Sequence, residues 1–166
     1  MPSWSREELA AAFAHYQDVV ARCAASGDWA PYADLFVEDA TYVEHAFGTL
    51  HGRDEIRAWV TRTMTAFPGN VMTSFPANWM TVDEERGWVI CEIGNPMRDP
   101  GDGSVISPAN LTILRYAGDG LWREEEDVYN PATFASAAAR WLKIAAAHDR
   151  LPADLPDWAE AERLRD

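Results

Sequence analysis

Residues 105–130 read VISPANLTILRYAGDGLWREEEDVYN, and the fold turns on how this stretch is parsed. β-favouring residues run from Val105 to Tyr116 and again from Leu121 to Tyr129. Ala117-Gly118-Asp119-Gly120 lies between them. Gly and Asp tolerate the backbone angles of a tight reversal, so the spacing predicts an antiparallel hairpin. Upstream, Val71–Val82 and Gly87–Asn95 have the same character. Asp83-Glu84-Glu85-Arg86 separates them, and Asp99-Pro100-Gly101-Asp102-Gly103 precedes Val105. Four strands in a meander follow from this order. Pro76, Pro96 and Pro108 cannot donate to a ladder, so edges or bulges are expected there.

Before residue 70 the period is helical. Leu9, Phe13, Tyr16, Val20 and Cys23 share one face of a helix over Ser5–Ala25, with Ser5 and Glu8 as a capping box and Gly27 as the stop. Asp28 caps a short second helix, Trp29–Phe36. Ala40–Phe47 reads as a strand, and Gly48 and Gly52 bracket a turn. Ile56, Trp59, Val60, Thr63, Met64 and Phe67 then recur at helical spacing up to Pro68-Gly69. Asn130 caps, and Pro131 opens, a helix to about His148. We read one domain over 1–149 and an acidic tail over 150–166, with a last helical turn from Asp157. Helices first and antiparallel strands later define an α+β fold: a cone-shaped, curved antiparallel sheet wrapped around the long N-terminal helix, with a pocket between them.

The chain has 166 residues, 27 acidic against 14 basic, and a net charge of −13. Such a surface repels nucleic-acid phosphates and anionic membranes. No apolar run reaches the ~18–20 residues of a membrane span, and Met1–Glu8 lacks the pattern of a signal peptide, so a cytoplasmic protein is expected. Cys23 and Cys91 lack metal or redox spacing and read as buried thiols. His45 and His51 do not form a metal motif. Lys143, the one lysine, lies in an Ala-rich helix and suits no Schiff base. No phosphate loop or Gly-x-Ser-x-Gly occurs. These readings predict no metal and no cofactor. Eight Trp suit an aromatic core or pocket.

Gly27-Asp28-Trp29, Leu35-Phe36-Val37-Glu38-Asp39-Ala40-Thr41-Tyr42, His51-Gly52-Arg53-Asp54-Glu55-Ile56-Arg57 and Glu126-Asp127-Val128-Tyr129-Asn130 together resemble the nuclear transport factor 2-like superfamily, and within it the SnoaL-like group. The superfamily includes ketosteroid isomerases, polyketide cyclases, epoxide hydrolases, dehydratases and non-catalytic members, so the fold does not settle the function. The resemblance to the isomerases implies Tyr16 as a hydrogen-bond donor and Glu44 as the base, where they carry Asp. Strand alternation pairs Tyr42 with Glu44 on one face but leaves open which face is inside; the resemblance implies this one. Thr112 falls where the isomerases carry a protonated Asp, with Asn110 beside it. The epoxide hydrolase set matches at Asp127 and Tyr42 but meets Ile93, Asn95 and Glu44 elsewhere. No strand histidine of the dehydratase kind follows His51 before His148. The cyclases' single acid–base Asp is matched by Asp127.

Within Glu124–Asp127, two carboxylates are expected to face in and two out, partly paired with Arg115 or Arg123. An inward carboxylate in an apolar pocket has its pKa raised, which suits acid–base work near neutral pH. Trp29, Trp59, Trp79, Asn95 and Tyr129 complete the candidate walls. The resulting expectation is a cofactor-free isomerase, cyclase or lyase acting on an apolar carbonyl, polycyclic or steroid-like molecule. A binding or dimerisation module of the same fold is the alternative. The resemblance also implies a homodimer through the sheet.

Overall fold

A computed structural model describes residues 4–163. Helix α1 (Arg6–Ser26) starts where Ser5 Oγ accepts the Glu8 N–H at 3.1 Å. It stops at Gly27, whose φ of 76° lets its N–H reach Cys23 O at 2.8 Å. Its buried face carries the expected Leu9, Phe13, Tyr16, Val20 and Cys23, plus Ala12 and Val19. Asp28 Oδ1 accepts the Ala30 N–H. The expected short second helix is a 3₁₀ helix, Ala30–Leu35. It buries Tyr32, Ala33 and Leu35.

Strand β1 (Phe36–Glu44) begins earlier than Ala40, and Gly48–His51, expected as a turn, is a short edge strand β2 paired antiparallel with β1. Helix α2 (Arg53–Thr65) buries Ile56 and Val60. The strand expected from Val71 starts only at β3 (Ala77–Asp83). A 3₁₀ turn at Gly69–Val71 and a single Met72–Met97 bridge occupy the preceding residues. Strands β4 (Trp88–Gly94), β5 (Ala109–Gly118, not from Val105) and β6 (Leu121–Val128) complete the sheet. Pro76, Pro96 and Pro108 lie just outside the strands, where their carbonyls accept from Gly94, Thr73 and Asn95.

The strand order is β2-β1-β6-β5-β4-β3. Every pair is antiparallel except β1–β6, which is parallel, a correction to the all-antiparallel expectation. Parallel pairing sets Tyr42 beside Glu125 and Glu44 beside Asp127. The sheet curls around α1, and its concave side and α1 enclose the main core.

A bulge in β6 decides which of its acidic side chains face inward. Tyr116 pairs with Trp122 and Arg115 with Glu124, so Arg123 is the extra residue. The inward phase thereby passes from even to odd positions. Trp122 is buried, Glu124 and Glu126 turn outward onto Arg115, and Glu125 and Asp127 turn inward.

Helix α3 (Pro131–Ala147) starts at Asn130, whose Oδ1 accepts the Ala132 N–H at 3.0 Å. With Phe67, Val71, Met97 and Ile106, it forms a second core. The segment after residue 150 joins that core through Leu151, Leu155 and Ala159 of helix α4 (Asp157–Arg163), and Trp158 packs on Phe67. Among the described residues, no helix is long and apolar enough to cross a membrane.

Candidate functional site

Between α1, α2, the concave sheet and the start of α3 lies a cavity of about 310 Å³. Its wall is mostly apolar: Trp29, Trp59, Met64, Met72, Phe75 and Phe134 face it. One side is polar and comes from β1, β5 and β6. Glu44, Glu125 and Asp127 all border the cavity.

Asp127 is held from three sides. Tyr42 Oη donates to Oδ2 at 2.5 Å, Thr112 Oγ1 to Oδ1 at 2.6 Å, and Asn110 Nδ2 to Oδ1 at 3.1 Å. Asn95 Nδ2 in turn donates to Asn110 Oδ1 at 2.9 Å, which fixes that amide's orientation. Burial pushes the Asp127 carboxyl up, and the three hydrogen bonds hold it down against that and against the charge of Glu44. The balance puts it at about 6.

Glu125 lies deeper, 2% exposed. Tyr32 Oη donates to Oε2 at 2.6 Å and Tyr16 Oη to Oε1 at 2.9 Å, while Tyr42 Oη lies 3.4 Å from Oε1. Burial, then the charge of Asp127, raises Glu125 well above the usual carboxylate range, although the tyrosine hydroxyls oppose this. Burial raises Tyr16, Tyr32 and Tyr42 as well, so their hydroxyls keep their protons. Two carboxyls thus share Tyr42 but differ in environment. Asp127 titrates near neutral pH, and Glu125 holds its proton beyond its ordinary range.

Glu44, 5% exposed, sits at another part of the wall. Its Oε1 accepts from Tyr129 Oη at 2.8 Å and from the Ala46 N–H at 2.9 Å. The cavity therefore gathers the expected Tyr16, Tyr42, Glu44, Asn110, Thr112 and Asp127, along with Trp29, Trp59, Asn95 and Tyr129. Tyr16 does border the cavity, but its hydroxyl is committed to Glu125. Trp79 does not line the cavity. It pairs with Glu92 across the β3–β4 ladder on the outer sheet face and is 46% exposed, because its strand phase is opposite to that of the inward residues.

Sequence reading did not single out Glu125 or Tyr32. The alternation of β6 does pair Glu125 with Asp127, and that was the available signal; the bulge at Arg123 decides that the pair faces in. Among the described residues, no three His, Cys, Asp or Glu side chains gather in a way suited to a metal ion.

The SnoaL-like domain model matches residues 6–125, and the chain belongs to that family. No curated protein matches it at the sequence level. Among solved structures, it is similar to an NTF2-like protein from Anabaena variabilis (15% identity, 78% of this chain and 95% of that one, TM-score 0.58). It is also similar to a Xanthomonas campestris protein provisionally called a polyketide cyclase (16%, 80% and 97%, TM-score 0.60). A third is an epoxide hydrolase of M. tuberculosis described as LEH-like (11%, 85% and 96%, TM-score 0.62). At these identities the likeness shows the fold.

Proposed function

We propose that the protein is a cofactor-free acid–base catalyst acting on a small apolar carbonyl compound, with Asp127 as the proton-transferring group. The observation that carries this is Asp127 itself: a carboxylate titrating at about 6, fixed by three donors, on the wall of an aromatic cavity. A general base works best when its pKa lies near the working pH. In the proposed step, Asp127 takes a proton from a carbon next to the carbonyl, and the electron pair moves onto the carbonyl oxygen. Return of the proton at another carbon gives isomerisation. Attack of the enolate on a second carbonyl gives cyclisation, and loss of a leaving group gives elimination. Burial and the charge of Asp127 raise Glu125, which disfavours a second negative charge beside the one that Tyr42 steadies. The cavity volume suits a two- or three-ring compound.

The test is exchange of α-hydrogens for deuterium in a panel of bicyclic ketones such as 1-tetralone and 2-tetralone. It reads the first step whichever reaction comes after it. Wild-type protein is expected to accelerate exchange, and Asp127→Asn to return it to background. Background exchange by wild type on ketones that bind would refute catalysis. That result would favour the second reading, a binding pocket without turnover, which the commitment of Tyr16 to Glu125 supports.

We also propose a homodimer through the outer sheet face. Trp79, Leu111 and Val128 are 46%, 38% and 40% exposed, and the register sets them in one row with Glu92. Sedimentation should show a dimer that Leu111→Arg dissociates; a wild-type monomer at micromolar concentration overturns this. Two buried free thiols support a reducing, cytoplasmic setting.

A further inference from the structure

The proposed proton transfer gives Glu44 no task. This residue is 5% exposed, lies on the inward face of β1 and borders the cavity. Both of its protein donors, Tyr129 Oη and the Ala46 N–H, go to Oε1. Oε2 accepts from neither. It is also not sealed: among the described residues, the side-chain atoms that are both closed off and unpartnered are Gln17 Nε2 and Trp122 Nε1. Water serves an open carboxylate oxygen about as well as a ligand donor does, so charge rather than an unmet bond decides what Oε2 selects.

Charge on this wall has one sign. Glu44, Glu125 and Asp127 border the cavity, and among the described residues no Arg, Lys or His does. His45, next along β1, turns to the outer face and meets Glu126 at 3.0 Å. Parallel pairing sets Glu44 beside Asp127, and its charge adds to the burial that raises Asp127. A cation in the cavity relieves that repulsion, and a further anion adds to it. The chain as a whole, at −13, draws cations in the same sense. The wall beside Glu44 suits an organic cation. Tyr129 packs on Phe134 at 4.7 Å, and Tyr42, the next inward residue of β1, on Trp59 at 4.9 Å. Aromatic faces attract an ammonium group and accept the hydrocarbon around it. For a bare metal ion, the described residues gather no set of three ligands.

We infer that Glu44 is the anchor for a protonated amine, so that the cavity selects ring compounds carrying an ammonium group. Oε2 accepts an ammonium N–H while the ring lies against the aromatic wall. This rests on the reading of the cavity as a small-molecule site and narrows the substrate class. The carbonyl part of the substrate meets Asp127, and its amino substituent meets Glu44.

The experiment measures, by titration calorimetry at neutral pH, the binding of bicyclic compounds of one shape. They are 2-aminotetralin as its ammonium ion, 2-tetralol and 2-tetralone as neutral compounds, and tetralin-2-carboxylate as the anion. Wild type is expected to bind the amine about tenfold or more tighter than the alcohol, and the carboxylate weakest. Glu44→Gln keeps an oxygen for Tyr129 and the Ala46 N–H and removes the charge. Glu44→Met removes the charge at similar length. Each is expected to lower the preference for amine over alcohol about fivefold or more. Taking the ratio cancels changes common to both ligands. Circular dichroism identifies a variant that fails to fold, and the other then decides.

An alcohol or carboxylate that binds wild type as tightly as the amine overturns the inference, whatever the variants do. An unchanged ratio in a folded Glu44 variant overturns it too. So does a ratio that falls only in Asp127→Asn, because the ammonium then meets the acid–base group. If 2-tetralone binds and the amine does not, the inference fails and the cavity stands as a small-molecule site. If the amine shows the Glu44-dependent preference but wild type does not accelerate exchange on the ketones, catalysis fails and the inference stands. If none of the compounds binds, both fail.

Discussion

Replacing Tyr42 by Phe removes one hydroxyl and leaves the ring, which packs against Phe36 and lies 4.9 Å from Trp59. That hydroxyl donates to Asp127 Oδ2 at 2.5 Å, and its bond holds the carboxyl down against the pull of burial. A hydrogen bond to a charged group is worth about 1.5–3 kcal/mol, and 1.36 kcal/mol corresponds to one pH unit. The Asp127 midpoint should therefore rise from about 6 by about one to two pH units. Thr112 and Asn110 still hold Oδ1, so the rise stays partial. The assay is carbon NMR on protein labelled at the aspartate carboxyl, with the Asp127 signal assigned by its loss in Asp127→Asn. It needs no substrate. A midpoint that stays at about 6 or falls would refute the claim that Tyr42 stabilises the ionised form. A wild-type midpoint near 4 would remove the basis for Asp127 as a base at neutral pH.

Asp127 should also write itself into the pH dependence of stability. Its folded pKa is raised above the ordinary 3.8, so its contribution is fully present below about pH 4 and is lost as pH rises through about 6. Urea unfolding should show wild type losing about 2–3 kcal/mol relative to Asp127→Asn between pH 4 and 7; parallel curves would contradict the assignment. Glu125→Gln keeps an oxygen acceptor for one of Tyr16 and Tyr32 and offers the other hydroxyl an N–H, without a charge, and should cost less than about 1 kcal/mol at pH 7. Glu125→Leu should cost about 2–4 kcal/mol, because two buried hydroxyls lose their acceptor; equal costs would show that Glu125 is held as an anion. Asn130→Ala should lower stability by about 1 kcal/mol through loss of the α3 cap. A thermal midpoint unmoved by that change would show that packing alone sets the start of α3.

The parts of the fold legible in sequence are those that local chemistry decides. Ser5, Gly27, Asn130 and Pro131 mark helix ends because their side chains or backbone freedom satisfy groups at those positions. Strand β2 was not legible. Gly48-Thr49-Leu50-His51 has little preference of its own and becomes a strand because β1 offers a free edge. The inward face of β1 followed from period two once one member was placed, and Ala40, Tyr42 and Glu44 are all buried. Trp79 shows the opposite case, since hydrophobicity said nothing about which side of β3 it would occupy. Gln17 lies at the flank of the apolar stripe of α1. Nothing in its spacing told that Ala77, 60 residues away, would fix its amide.

The bulge at Arg123 acts as a phase shifter for the acidic run beyond it. With the extra residue, Glu125 and Asp127 are read into the cavity and Glu124 and Glu126 onto Arg115. Flattening the bulge with Arg123 kept, so that it enters the ladder opposite Arg115, restores strict alternation and exchanges the two sets. The cavity would still receive two carboxylates, now both glutamates, and Arg115 would still find acidic partners, but the signal titrating at about pH 6 would go with the displaced aspartate. Four acids in succession make the sheet indifferent to the slip, whereas the chemistry is not. The identity of the proton-transferring group is thus set by how the strand is counted into the ladder as much as by the kind of its residues.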